Sequence, residues 1–363
     1  MSAPGGLEPP YGARDAAGMA ARISGAAGQI EEALAHLARA PWRLPEGPPP
    51  ALLAVGAMGG SAIAADLCAG VWGDVLPRPL LVVRDSSWPG CVGADALAFV
   101  CSYSGETAES LALWDAAAAR GVRRVAMSSG GALAARAAAE GAHRMEIPGG
   151  SPPRAALWAA WPRVAALLAA LDWIPDPRAA WRGVAAGLRA LEARLGPDVP
   201  EARNPAKRLA RALHGRFVFV YSGTRFAPVG VRWRQQLNEN AKLPAHSAAV
   251  PELNHNEIVG WERASAFHAS SSVVLLRDPD ATLEENARLT LTADFARGCG
   301  AGVHEVVAEG ESPLARAAML AGWGDYLSLY LALLGGVDPT PIASIDTFKR
   351  RLAAARSAGE GTA

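Results

Sequence analysis

Three hydroxyl side chains fall within six positions, Ser102, Ser104 and Thr107, between the apolar run Ala98–Cys101 and the helix-forming stretch Ala108–Arg120. A helix N-terminus carries unpaired N–H groups and the positive end of the helix dipole, so hydroxyls placed there can cradle a phosphate with backbone help. An ordinary Ser/Thr N-cap would use the same residues. A second turn of the same kind favours the phosphate. Gly56-Ala57-Met58-Gly59-Gly60-Ser61 closes the apolar run Ala51–Val55 and opens a helix expected over Ala62–Leu67. Gly59 and Gly60 permit close backbone approach to a ligand, and Ser61 adds a hydroxyl. The turn lacks the GK[ST] of a P-loop and is not a GxGxxG fingerprint, so no nucleotide is expected.

Proton-transfer chemistry has fewer candidates. Glu239 lies in Leu237-Asn238-Glu239-Asn240-Ala241-Lys242, where a solvated helix face is its bland reading. His255 stands between Asn254 and Asn256, and an imidazole can give or take a proton near pH 7. Only Lys207, Lys242 and Lys349 are lysines among thirty-five basic residues. With Arg350 and Arg351 beside it, Lys349 suggests a need for a compact ammonium that guanidinium does not replace. Lys242, three residues from Glu239, reads as a helix-surface partner. The remaining histidines (His36, His143, His214, His246, His268, His304) show no HExxH or other ligand spacing, so no metal site is expected. Trp261 and the other tryptophans read as core or interface residues.

These residues need elements to position them. The 363 residues are 50% apolar and 19% charged, enough to bury a large core and suggestive of two domains. Thirty-five basic and thirty-five acidic residues cancel without a basic stripe, which argues against nucleic acid or an anionic membrane as partner. Cys68, Cys91, Cys101 and Cys299 form no CxxC pair, so reduced thiols and a cytoplasmic location are expected. Met1–Arg14 lacks a signal-peptide pattern. Met319–Val337 approaches membrane-span length, but Asp325 and four glycines make it a buried helix.

Met19, Ile23, Ile30, Leu34 and Leu37 predict an amphipathic helix over Ala16–Ala40, broken by Pro41–Pro50. Strands are then predicted at Ala51–Val55, Leu80–Val83, Leu97–Val100 and Arg124–Met127, alternating with alanine-rich helices as in a parallel α/β domain. Ala155–Leu195 reads as helix interrupted near Trp173–Pro177, and the polar, proline-bearing Gly196–Pro205 as the domain junction. A second series has strands at Phe217–Tyr221, Ser272–Leu276 and His304–Val307, with helices at Val229–Lys242, Leu283–Arg297 and Leu314–Leu334. The expected division is a loose segment and helix over 1–45, a first α/β domain over 46–195, a second over 205–350 and a tail over 351–363. Ligands of such sheets bind beyond the carboxyl ends of the strands.

The glycine turn paired with the hydroxyl loop resembles the sugar-isomerase (SIS) domain. Ser151-Pro152-Pro153-Arg154-Ala155-Ala156-Leu157, Leu237–Lys242, Pro251–Trp261 and Val337–Lys349 are similar, in order, to segments of the bifunctional phosphoglucose/phosphomannose isomerase family. That resemblance implies two tandem SIS domains, each a parallel sheet flanked by helices. It also implies cofactor-free interconversion of glucose 6-phosphate and mannose 6-phosphate with fructose 6-phosphate through a cis-enediol. Carried over, Glu239 would move the proton between C2 and C1, His255 would assist ring opening, and Lys349 would lie near the ring oxygen or phosphate. Arg154 would stabilise the enediolate, while Ser61, Ser102, Ser104 and Thr107 would hold the phosphate above the Gly59–Gly60 backbone. Family members pair as homodimers in which this histidine reaches the neighbour's site. Two departures stand out, Ala57 in the glycine turn and Glu106 where asparagine is usual. A phosphosugar sensor and an isomerase of another phosphosugar are the competing readings, and the retained Glu239, His255 and Lys349 favour catalysis on hexose 6-phosphates.

Overall fold

A computed structural model describes residues 6–39 and 42–360, the side chains of residue 353 and residues 356–360 excepted. The start of the expected 1–45 segment, the last residue of the expected Ala16–Ala40 helix, the first residue of the Pro41–Pro50 break and the end of the 351–363 tail therefore lie outside the described residues. The N-terminal amphipathic run forms two helices, α1 (Met19–Ser24) and α2 (Ala26–Arg39), parted at Gly25.

The first alternating series comprises β1 (Leu53–Ala57), α3 (Gly59–Trp72), β2 (Leu80–Val83), β3 (Leu97–Cys101), α4 (Ala108–Ala119), β4 (Arg123–Ser128), α5 (Gly131–Ala139) and β5 (His143–Glu146). Helices α6 (Leu157–Ala170), α7 (Arg178–Leu195) and α8 (Pro205–Leu213) follow. The second series runs β6 (Phe217–Gly223), α9 (Ala227–Glu239), β7 (Ala245–Val250), α10 (Ala266–Ala269), β8 (Ser271–Arg277), α11 (Leu283–Gly298), β9 (Gly302–Val307), α12 (Pro313–Leu334) and α13 (Ala343–Glu360). Strands β5 and β7 lie outside the strands predicted above.

Both sheets are wholly parallel, ordered β2-β1-β3-β4-β5 and β7-β6-β8-β9. The chain is thus α/β with two parallel sheets flanked by helices, and the second half repeats the strand order of the first four strands. Each sheet has its switch point between its first and third strands, where adjacent connections leave in opposite directions. In the first sheet that point lies between β1 and β3, the strands that carry the glycine turn and the hydroxyl loop.

One apolar core joins the halves. It runs from Leu53 and Val55 of β1 through Trp158, Trp161 and Trp181 to Val218 and Val220 of β6 and Leu327 and Leu331 of α12. Smaller clusters cover the other sheet faces, around Trp88, Val100 and Trp114 in one half and Tyr221, Trp261 and Val273 in the other. Among the described residues one helix, α12, is long and apolar enough to cross a membrane, and 94% of its most apolar stretch is buried inside the molecule. Its one carboxylate, Asp325, is buried against Arg232, whose Nη2 donates at 2.9 Å, and Gln236, whose Nε2 donates at 2.7 Å. Burial pushes the Asp325 carboxyl up, against the pull of Arg232.

Helices α3 and α9 pack antiparallel across this core, and that orientation builds the site. Gly70, near the end of α3, lies against the start of α9, where a Cβ would stand 2.6 Å from the Arg225 carbonyl. The beginning of α3 consequently meets the end of α9, which is Glu239.

Candidate active site

The glycine turn is the first turn of α3 itself rather than a loop ahead of it, since the helix starts at Gly59 instead of the expected Ala62. Gly60 permits a close approach: a Cβ there would come within 2.9 Å of the Pro153 backbone and 3.0 Å of the Arg154 nitrogen. Ser61 Oγ accepts from the Tyr103 N–H at 3.3 Å, tying the turn to the hydroxyl loop.

Within that loop the three hydroxyls do different things. Ser102 is buried and turned inward, donating from Oγ to Thr107 Oγ1 at 2.9 Å and accepting from the Gly105 N–H at 3.1 Å. Ser104 is exposed and, among the described residues, accepts only from the Glu106 N–H at 3.2 Å, and Thr107 is half-buried at the N-cap of α4. Gly105 has φ +73 and packs on the Gly130 carbonyl, so a side chain there would meet both strain and backbone. Glu106 has a local task, because its Oε1 accepts from the Ala132 N–H at 2.8 Å in the first turn of α5. A carboxylate suits a helix N-terminus. Ala57 is the buried last residue of β1.

Arg154 joins the halves. It is 2% exposed, and its Nε donates to Asn240 Oδ1 at 2.7 Å. Nη2 donates to the carbonyls of Pro339 and Thr340 at 2.7 and 2.8 Å, and Nη1 reaches Glu239 Oε2 at 3.3 Å. Burial, with Arg232 as a like charge, lowers its pKa, and Glu239 opposes that shift. Asn240 in turn donates to Ser328 Oγ at 2.9 Å on α12. Glu239 ends α9 with its side chain 27% exposed, facing an open cleft bordered by Lys242, Leu243, Pro341 and Ile345.

Lys242 is not the surface partner expected of it. It lies past the helix in the left-handed region, φ +56, with Nζ donating to the carbonyls of Glu239 at 2.5 Å and Pro339 at 2.9 Å. Burial, then the nearby Arg154, lowers its pKa. Asn240, Lys242 and the Pro339–Thr340 carbonyls are therefore site-building groups to which the sequence reading gave no role, although all lie inside the segments it quoted.

Two further candidates do not join this constellation within one chain. Glu239 precedes β7 and His255 follows it, so roughly 17 Å of strand, at about 3.3 Å per residue, separates the two ends. Pro251–Trp261 folds into two short 3-10 helices, and His255 is exposed on the first. Lys349 is exposed on α13, one turn beyond Ile345.

The corresponding switch point of the second sheet, between β6 and β8, is filled from inside. A Cβ on Gly223, the last residue of β6, would overlap the Glu285 carboxylate. Burial and the neighbouring Asp278 push the Glu285 carboxyl up.

Residues 202–352 match the family model described as a bacterial phospho-glucose isomerase C-terminal SIS domain. The chain is 37% identical over 298 residues to a bifunctional phosphoglucose/phosphomannose isomerase of Caldicellulosiruptor bescii, spanning 82% of this chain and 88% of that one. A protein of the same name from Aquifex aeolicus is 30% identical over 276 residues, 76% of this chain and 82% of the relative. Among solved structures, a glucose-6-phosphate isomerase like protein from Thermus thermophilus shares the fold with TM-score 0.58 and 20% identity, covering 91% of this chain and 93% of that one.

Proposed function

The chain belongs to the bifunctional phosphoglucose/phosphomannose isomerase family, and from that premise we propose that it interconverts glucose 6-phosphate and mannose 6-phosphate with fructose 6-phosphate. The observation that carries the reading is the meeting of Arg154 with Glu239 beside the Gly60–Pro153 contact. This places a carboxylate and a fixed guanidinium next to the turns suited to a phosphate.

With the phosphate on the first turn of α3 and on Ser104 and Thr107, the C1–C2 end of the open sugar reaches Glu239. The carboxylate takes the C2 proton, the C–H electron pair forms the C1=C2 bond, and the carbonyl electrons move onto O1. Arg154 spends its other N–H groups on Asn240, Pro339 and Thr340, so Nη1 is the edge turned to that developing charge. Return of the proton to C1, with transfer of the O2 proton to O1 as the electrons of the O2–H bond form the C2 carbonyl, completes the ketose. Ser102 shapes the loop around these groups. Glu239→Gln keeps size and hydrogen bonding but removes the proton acceptor. Purified Glu239→Gln protein should form no fructose 6-phosphate from either aldose and incorporate no solvent deuterium at C2. Persistent exchange would move the base elsewhere.

We also propose a homodimer in which His255 opens the sugar ring in the partner's site, with Lys349 alongside. Support comes from the opposite placement of Glu239 and His255 about β7, and from the exposed apolar stripe Ile345, Phe348 and Leu352 on α13. Mixing Glu239→Gln with His255→Ala subunits should regenerate activity, because one hybrid site then holds both native residues. Activity that stays at zero after demonstrated exchange refutes the shared site.

A further inference from the structure

His255 has no hydrogen-bond partner among the described residues, so its aim depends on the backbone that carries it. That backbone is braced by one tie within the segment and by ties to neighbouring elements. Asn254 Nδ2 donates to Thr292 Oγ1 on α11 at 2.9 Å, and Asn256 Nδ2 donates to Glu252 Oε1 at 2.6 Å. Glu257 makes the third tie with both carboxylate oxygens. Tyr221 Oη on β6 donates to Oε1 at 2.5 Å, and His246 Nε2 on β7 meets Oε2 at 2.9 Å. Trp261 Nε1 donates to the same Tyr221 Oη at 3.1 Å, and Phe219 packs edge-on against His246 and Trp261 with centroids 5.7 and 5.1 Å apart.

We propose that Glu257 is a positioning residue for the reaction: its carboxylate clamps the 252–261 segment to β6 and β7 and so fixes the direction in which His255 projects. This rests on the reading of His255 as the ring-opening residue given above. A carboxylate held at each oxygen by a different strand resists both translation and rotation. One unpinned end would leave the segment free to turn. The Tyr221 phenol is pushed up by burial and by the Glu257 charge, so it stays a donor. Glu257 therefore does not serve as a spare base for C2, because both its oxygens are engaged on the side of the sheet away from Glu239.

The test uses Glu257→Ala, Glu257→Gln and Tyr221→Phe beside His255→Ala, with thermal unfolding followed for each. Glucose 6-phosphate must be opened, whereas a four-carbon aldose phosphate cannot close a six-membered ring. Glu257→Ala should lower kcat on glucose 6-phosphate roughly 10- to 100-fold, the scale of a 1 Å misplacement. KM should stay near the parent value, and the four-carbon substrate should lose much less. Glu257→Gln can still accept from Tyr221 and donate to His246, so it should recover most of the loss. Mixed with Glu239→Gln subunits, Glu257→Ala should regain activity, and mixed with His255→Ala it should not. If Glu257→Ala unfolds early, Tyr221→Phe removes one tie while keeping the ring and should show the same substrate split. An equal loss on both substrates, or rescue by His255→Ala subunits, overturns the clamp. A His255→Ala variant without any split overturns the ring-opening reading itself.

Discussion

Arg154 shows how much a single side chain can hold together: its four donor contacts reach α9, the residue following α9 and the segment before α13. Lysine can make only three donor contacts from one atom, so it cannot span Asn240, two carbonyls and Glu239 at once. Arg154→Lys should reduce kcat by about 10²- to 10³-fold, the cost typical of losing one aligned donor to a developing oxyanion. Initial rates with saturating glucose 6-phosphate check it. A loss confined to KM would mean that the guanidinium binds substrate without favouring the enediolate. The lysine bias noted in the sequence has a physical basis at other positions: Lys207 is fully buried, with Nζ donating to two carbonyls at 2.8 Å and to Glu8 at 3.0 Å. Lys242 likewise gathers carbonyls. A point charge with three radiating donors suits such pockets better than a planar fork. Scarcity was legible in the sequence, whereas the carbonyls that give it meaning come from distant segments and were not.

The elements that present these residues depend on contacts without a side chain. Gly60→Ala would drive a methyl into the Pro153–Arg154 backbone, which has no flexible end to move aside. Overpacking of this kind costs about 1–3 kcal/mol. The variant should melt earlier and, because α3's first turn shifts from the hydroxyl loop, show a raised KM for hexose 6-phosphates. An unchanged KM in a folded variant would remove that turn from the phosphate site. Central strands were legible because strands covered on both faces read as unbroken apolar runs, as Leu53–Ala57 and Leu97–Cys101 do. The edge strands were not. In β5 only Met145 is buried, and β7 is Ala-His-Ser-Ala-Ala-Val, whose small residues carry no period. Without β7 the residues alone gave no reason to set Glu239 apart from His255, and their expected division between subunits came only from the family resemblance.

At the scale of the molecule, two sheets with the same strand order share one core yet offer opposite edges to the site. The first contributes its carboxyl edge through α3 and the hydroxyl loop. The second contributes its amino edge, through Glu239 at the end of α9. The buried Arg232–Asp325 pair lies behind this junction, where removal of either partner would leave an unpaired charge costing about 3–5 kcal/mol. Repetition of the fold was legible from its alternating pattern, but the reversal of edges was not, because it arises from how α3 and α9 cross. The carboxylate of Glu285 on Gly223 bears on a different quantity, the number of ligands a chain can take up. A sheet seat that already holds its own anion repels a second one and has no volume for it. Calorimetric titration of the inactive Glu239→Gln protein with glucose 6-phosphate should therefore saturate at one equivalent per chain, and a stoichiometry of two would mean that Glu285 swings out to admit the other.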